Sequence, residues 1–141
     1  MRDRRLGFAL DASALLALLQ GEPGSAWVAD VLDVSILSAV NWAEVLGKAL
    51  EHGADLRDSA GHFGALGVPI LPFTEQDAVL VATLQAPGRS LGLSLGDRAC
   101  LALAHRYEVT ALTADRAWAE LGEGGSRSGV LGFEVKVQMI R

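Results

Sequence analysis

The chain has a single cysteine, Cys100, so no internal disulfide can form, and that usage fits a reducing cytosol. Its three histidines, His52, His62 and His105, lack an i, i+4 spacing and argue against a zinc site. Basic residues are short, at 12 against 17 acidic, which leaves a net charge of -5. A sequence-nonspecific nucleic-acid binder is usually basic, so any such site here has to rest on metal ions and local Arg or Lys. Only 21% of residues are charged while 50% are hydrophobic, which speaks against disorder. No run reaches the ~18 apolar residues that a membrane span needs. Arg2, Arg4 and Arg5 ahead of the apolar run Leu6 to Leu19 imitate a signal peptide, but Asp11 interrupts that run. The expectation is a cytoplasmic protein with no membrane contact. There is no repeat, linker or low-complexity segment, and a length of 141 residues favours one domain, 1–141, with room for a real core.

Strand and helix patterns alternate along the chain. Strands are expected at Leu6 to Leu10, Val34 to Ser38, Val68 to Phe73, Val109 to Thr113 and Phe133 to Ile140. The third carries Pro69 and Pro72 and belongs at an edge. Helices are expected at Ser13 to Gln20, stopped by Gly21 and Pro23, and from Gly24-Ser25 to about Leu32. Further helices are expected at Ala39 to His52, Asp55 to Leu66, Glu75 to about Gln85, Ser94 to Tyr107 and Asp115 to Leu121. In the third helix Trp42, Ala43, Leu46, Ala49 and Leu50 are expected to share an apolar face, with Gly53 as a cap. Pro87 to Gly92 reads as a turn-rich connection and Gly122 to Gly129 as a mobile loop. This order predicts an α/β fold, a three-layer α/β/α sandwich with a mainly parallel central sheet.

Four acidic residues stand at the mouths of separate apolar segments: Asp11, Glu44, Asp97 and Asp115. Carboxylates beside a core are costly unless something neutralises them. Asp11 follows the first strand and Asp115 the fourth, so chain direction alone sets both on one sheet edge, where ligands of open α/β sheets sit. Each acid also has a purely structural role open to it. Asp11 can cap the next helix, and Glu44 can pair with Lys48 for about 0.3–0.5 kcal/mol. Ser94 to Asp97 has the form of a capping box. Asp115 can begin its short helix. Against the cap reading, Asp97 lines up with Cys100, Leu101 and Ala104, on the face expected to be buried.

The stretches around these acids are Leu10-Asp11-Ala12-Ser13-Ala14, Ser38-Ala39-Val40-Asn41-Trp42-Ala43-Glu44-Val45, Leu93 to Ala104, and Leu112-Thr113-Ala114-Asp115-Arg116-Ala117-Trp118. In order and over nearly the whole chain they resemble the PIN-domain nucleases, in particular the VapC-type toxins of toxin–antitoxin pairs. The resemblance implies a PIN-like fold and a Mg²⁺- or Mn²⁺-dependent endoribonuclease site. It carries Asp11, Glu44, Asp97 and Asp115 over as the catalytic and metal-binding acids, with Ser13 and Thr113 as supporting polar residues. It also implies RNA such as tRNA or rRNA as substrate, a small VapB-type antitoxin as partner, and a homodimer.

Hard oxygen donors suit Mg²⁺ or Mn²⁺. Asp11, Asp97 and Glu44 are assigned to the principal ion, with Asp115 acting through water or on a second ion. Lys48, Arg98 and Arg116 are candidates for flanking phosphates, and Arg127 is a weaker one. Trp27, Trp42 and Trp118 read as core rather than as base-stacking platforms, as do Phe133 and Met139. Exposed apolar residues on the first two helices are a candidate dimer or antitoxin surface. The competing readings are a housekeeping RNA-processing nuclease with the same site and a non-catalytic module whose acidic pocket receives a basic peptide. An aspartyl phosphatase or receiver domain also sets Asp after a strand, but Asp11-Ala12-Ser13 lacks the second Asp of the phosphatase class.

Overall fold

A computed structural model describes residues 6–85, 89, 91–121 and 135–141, with the side chains of 119–121 left aside. Outside the described residues fall Arg2, Arg4, Arg5, Arg127, Phe133, the Gly122 to Gly129 loop and half of the Pro87 to Gly92 connection. Five parallel strands form one sheet in the order β3-β2-β1-β4-β5. They are β1 Phe8–Leu10, β2 Ser35–Ser38, β3 Ile70–Leu71, β4 Thr110–Thr113 and β5 Lys136–Met139. The helices are α1 Ala12–Gln20, α2 Ser25–Val31, α3 Ala39–Glu51, α4 Leu56–Gly64, α5 Glu75–Thr83 and α6 Leu95–Tyr107. Two 3₁₀ turns, Leu32–Val34 and Arg116–Leu121, follow α2 and β4.

Strand alternation divides the core into two layers. Ala9, Ile36, Ala111 and Val137 face Cys100, Leu101, Leu103 and Ala104 of α6, together with Trp118. Leu10, Leu37 and Leu112 face the opposite way, onto Ala14, Leu15 and Ala17 of α1, Val28 of α2, Val45 of α3 and Phe63 of α4. A sheet apolar on both faces is the pattern of buried parallel strands, and it produces the three layers expected. The helix stops act as expected too: Gly21 and Gly53 take φ of 64° and 80°, a left-handed conformation open to glycine without a Cβ penalty.

Three expectations need correction. The third strand shrinks to Ile70–Leu71 because Pro69 and Pro72 have no N–H to add to the ladder. The short helix expected at Asp115 to Leu121 starts one residue later, as the 3₁₀ helix Arg116–Leu121. The buried line of α3 is rotated from the one expected: Ala43 and Leu50 are exposed, Trp42, Leu46 and Ala49 are half-buried, and Asn41 and Val45 are the buried pair. A polar residue thus occupies the helix's most buried position, and its partners explain why.

Chain order sets the functional edge. From β1 the chain steps to β2 and then β3 on one side, whereas β4 and β5 lie on the other. The topological switch therefore falls between β1 and β4, and the crevice beyond their carboxyl ends is where ligands of such sheets bind.

Candidate active site

Asp11 occupies that crevice. It follows Leu10, the last residue of β1, its N–H bonds the Leu112 carbonyl of β4 at 3.1 Å, and its side chain is buried at 3% exposure. Four donor contacts hold the carboxylate. Oδ1 accepts from Ser13 Oγ at 2.7 Å and from the Ala14 N–H at 2.8 Å. Oδ2 accepts from Thr113 Oγ1 at 2.5 Å and from Ser13 Oγ at 2.9 Å. Ser13 and Thr113 stand 3.2 Å apart, and Ser13 Oγ accepts from the Ala114 N–H at 2.9 Å. Two chain segments, 11–14 and 113–114, thus meet at one carboxylate.

The capping role is real, since Ala14 is in the first turn of α1. It does not account for the electrostatics. A carboxylate at a helix cap is ordinarily stabilised in its charged form. Asp11 is instead raised from 3.8 to about 6, by burial first, against the bonds from Thr113, Ala14 and Ser13, with a contribution from the charge of Asp97. That rise corresponds to about 3 kcal/mol against the ionised fold at neutral pH. A group retained for stability alone would not carry such a cost.

The other three acids approach from different elements. Asp97 opens α6 in a capping box, with Oδ2 accepting from the Ser94 N–H at 2.9 Å and Ser94 Oγ accepting from the Asp97 N–H at 3.1 Å. It is half-buried, not buried as the helical spacing implied. Its pKa is nonetheless raised, by burial first and by repulsion from Asp115, against the bonds from Ser94. The Trp118 indole N–H favours its charged form, although the contact does not close a hydrogen bond. Asp115 is exposed and caps the 3₁₀ turn, accepting from the Ala117 N–H at 2.9 Å, while its own N–H donates to Thr113 Oγ1 at 3.0 Å. Glu44 is exposed on α3 and accepts from Asn41 Nδ2 at 2.9 Å. Lys48, its expected partner, pairs with Glu51 at 3.4 Å instead.

Three of the acids are linked through their fields. Asp97 acts on Asp11 and Asp115 acts on Asp97. The buried Cys100 thiol is pushed well above its usual value by burial and then by Asp11, Asp97 and Glu44. Cys100 Sγ donates to the Ala9 carbonyl at 3.5 Å in the buried layer beneath α6. Among the described residues no three His, Cys, Asp or Glu side chains stand ready-made around one ion. Each acid rests instead on its own hydroxyl, amide or backbone donors. The donor set is still that of a hard divalent cation: carboxylates and hydroxyls, with no soft or imidazole donor among them. The field of a cation would also relieve the cost of ionising Asp11.

The candidate cations divide. Arg116 is exposed beside Asp115. Arg98 turns away, its Nη1 donating to the Val81 carbonyl of α5 at 3.1 Å, and Lys48 is exposed, 3.4 Å from Glu51. Trp118 is fully buried, Trp42 stacks on Phe63 at 4.3 Å, and Trp27 packs edge-on against Phe8 at 5.5 Å. Met139 is buried as expected.

A family model for the PIN domain matches residues 8–124. The chain belongs to the PIN-domain family. PIN domains are nucleases, which supports a hydrolase acting on nucleic acid. No curated protein matches the sequence. Solved structures share the PIN fold at low identity. A chain of DNA-bound VapBC from Salmonella typhimurium is 15% identical, with a TM-score of 0.69, over 96% of this chain and 99% of that one. FitAcB from Neisseria gonorrhoeae is 21% identical, with a TM-score of 0.65, over 93% and 96%. VapBC2 from Rickettsia felis, bound to a promoter DNA fragment, is 11% identical, with a TM-score of 0.67, over 95% and 98%. At these identities the likeness establishes the fold. Among the described residues, no helix of this PIN domain is long and apolar enough to cross a membrane.

Asn41 is the residue that sequence reasoning missed. Its signal was a polar side chain four residues before the apolar Val45, and so in line with it on the helix.

Proposed function

We propose that this PIN domain is a divalent-metal-dependent endoribonuclease of the cytoplasm and the toxin of a type II toxin–antitoxin pair. One observation carries the reading. A buried Asp11, raised to about 6, sits at the topological switch of the sheet, within the field of Asp97 on α6, which in turn feels Asp115. Asp11, Glu44 and Asp97 would hold a Mg²⁺ or Mn²⁺ ion, with Asp115 completing the set. Such an ion, when bound, activates water and stabilises the departing oxygen of a phosphodiester. Ser13 and Thr113 orient Asp11 and favour its charged form. Arg116 on the rim takes a flanking phosphate. Water attacks the phosphorus in line and the products carry a 5′-phosphate and a 3′-hydroxyl, so no His or Lys base is required.

A small VapB-type antitoxin is the proposed partner, and a homodimer the proposed assembly. A cleft of about 210 Å³ supports an apolar docking segment. Leu16 and Leu19 of α1, Trp42 and Leu46 of α3 and Phe63 of α4 line it, beside the surface of the first two helices that the sequence offered. A larger cavity, about 690 Å³, opens at the amino ends of β1, β4 and β5 beside Gly7, Thr110 and Lys136, away from the four acids.

The test is cleavage of total RNA by the full chain, with Mg²⁺ and with EDTA, followed by mapping of the cut ends. The reading expects Mg²⁺-dependent cuts with 5′-phosphates. Cyclic phosphate ends would overturn the mechanism, and no cleavage in Mg²⁺ or Mn²⁺ would overturn the activity.

A further inference from the structure

We propose that Asn41 and Gly96 form a seat that positions the Glu44 carboxylate against the first turn of α6. The inference rests on the reading above, in that Glu44 is there one of the ion-holding acids. Asn41 is 1% exposed, and its carboxamide reaches in two directions. Nδ2 donates to Glu44 Oε1 at 2.9 Å, one turn along α3, and to the Gly96 carbonyl of α6 at 3.0 Å. One amide group therefore joins the carboxylate to the helix that carries Asp97.

Gly96 supplies the second, independent observation. It lies in the first turn of α6, where glycine is a poor helix former. Its φ is not in the left-handed region, so the backbone does not demand glycine there. Space does. A Cβ at this position would overlap the Cδ and both oxygens of Glu44. The bare Cα is what lets the carboxylate lie against the helix. Without the seat, an exposed glutamate is free to sample many rotamers.

Asn41 is also expensive in its place. Its Oδ1 is buried with no hydrogen-bond partner. An apolar side chain at this point of α3 would avoid that cost. A half-satisfied buried amide whose other end grips a site carboxylate has the form of an outer-shell residue that orients a ligand. Asn41 and Gly96 are positioning residues: they act through Glu44.

The experiment uses the full chain with Mn²⁺ as the probe, and reads its affinity by calorimetry in the unaltered protein, Asn41→Ala, Gly96→Ala, Glu44→Ala and Asn41→Ala/Glu44→Ala. Asn41→Ala and Gly96→Ala are expected to weaken Mn²⁺ about 10- to 100-fold. The Asn41→Ala loss should vanish in the Glu44→Ala background. Undiminished affinity in Asn41→Ala, or an equal loss without Glu44, overturns the seat. A second reading needs neither metal nor a refolded Asn41 variant: the Asn41 side-chain amide protons should exchange slowly, and faster in Glu44→Ala. Exchange at the solvent rate in the unaltered protein overturns the proposal. Failure of the unaltered protein to bind Mn²⁺ overturns the proposed function instead, and the amide exchange then decides the seat by itself.

Discussion

The Thr113 hydroxyl donates a 2.5 Å hydrogen bond to Asp11 Oδ2, across the boundary between two adjacent parallel strands. Its oxygen in turn accepts from the Asp115 N–H at 3.0 Å. A single hydroxyl thereby fixes the buried carboxylate and the turn that carries the exposed one. This bond lowers the pKa of Asp11 and works against the burial that raises it.

Removing that donor should expose the full effect of burial. In Thr113→Val the pKa of Asp11 is expected to rise above about 6, and the acid limb of any pH–activity profile should move in the alkaline direction. Carbonyl-carbon NMR titration of Asp11 reads the shift directly. An unchanged or lower value would show that the hydroxyl does not favour the charged carboxylate.

Asp11 also makes the fold weaker at neutral pH than at acid pH. The folded chain holds its proton up to about 6, while the unfolded chain releases it near 3.8. Below 3.8 both states carry the proton, and between the two values only the folded state does. The contribution of Asp11 to stability therefore falls as pH rises through this window, by about 3 kcal/mol in all. The raised Asp97 has the same sign. Asp11→Asn should flatten the slope and stabilise the protein at pH 7 by up to about 3 kcal/mol in urea titrations, while cleavage falls by more than the roughly 10- to 100-fold that loss of an outer-shell partner costs. A variant less stable than the parent at pH 7 contradicts this.

Arg98 and Arg116 should separate. Arg116→Ala is expected to weaken RNA binding and to reduce the slope of log affinity against log salt by about 0.7–0.9. Arg98→Ala should leave that slope unchanged and cost about 1–2 kcal/mol of stability through its lost bond to the Val81 carbonyl. Filter binding across a salt series, with thermal melts beside it, reads both; equal slopes for the two variants would remove the distinction.

Away from the site, Arg106 Nε lies 3.0 Å from Asp77 Oδ1, and Nη1 donates to Thr74 Oγ1 at 3.2 Å, fastening α6 to the cap of α5. Arg106→Ala would leave Asp77, whose side chain is 3% exposed, without its counter-charge. A loss of about 3–5 kcal/mol is expected, largely recovered when Asp77→Leu is added. Denaturant melts check this, and a single variant within 1 kcal/mol of the parent would contradict it.

What the sequence made legible follows from chain direction. Asp11 and Asp115 each follow a strand, and parallel strands send both to the same edge. The layers were legible because the strands are apolar on both faces. Two features were hidden for physical reasons. Arg98 follows Asp97 in sequence, but neighbours on a helix do not face each other, and the guanidinium swings to α5. The buried face of α3 was misjudged because apolar residues were assumed to mark it. Asn41 occupies it instead, drawn there by the Gly96 carbonyl and Glu44, a tertiary relation that local periodicity does not encode.

The central claim is that Asp11, Glu44 and Asp97 gather on one cation. Crystals soaked in Mn²⁺ and measured at the manganese edge test it most directly. An anomalous peak within about 2.5 Å of oxygens from these three acids, absent in Asp11→Asn crystals, is the predicted result. A peak remote from Asp11, or one that persists unchanged in the variant, would contradict it.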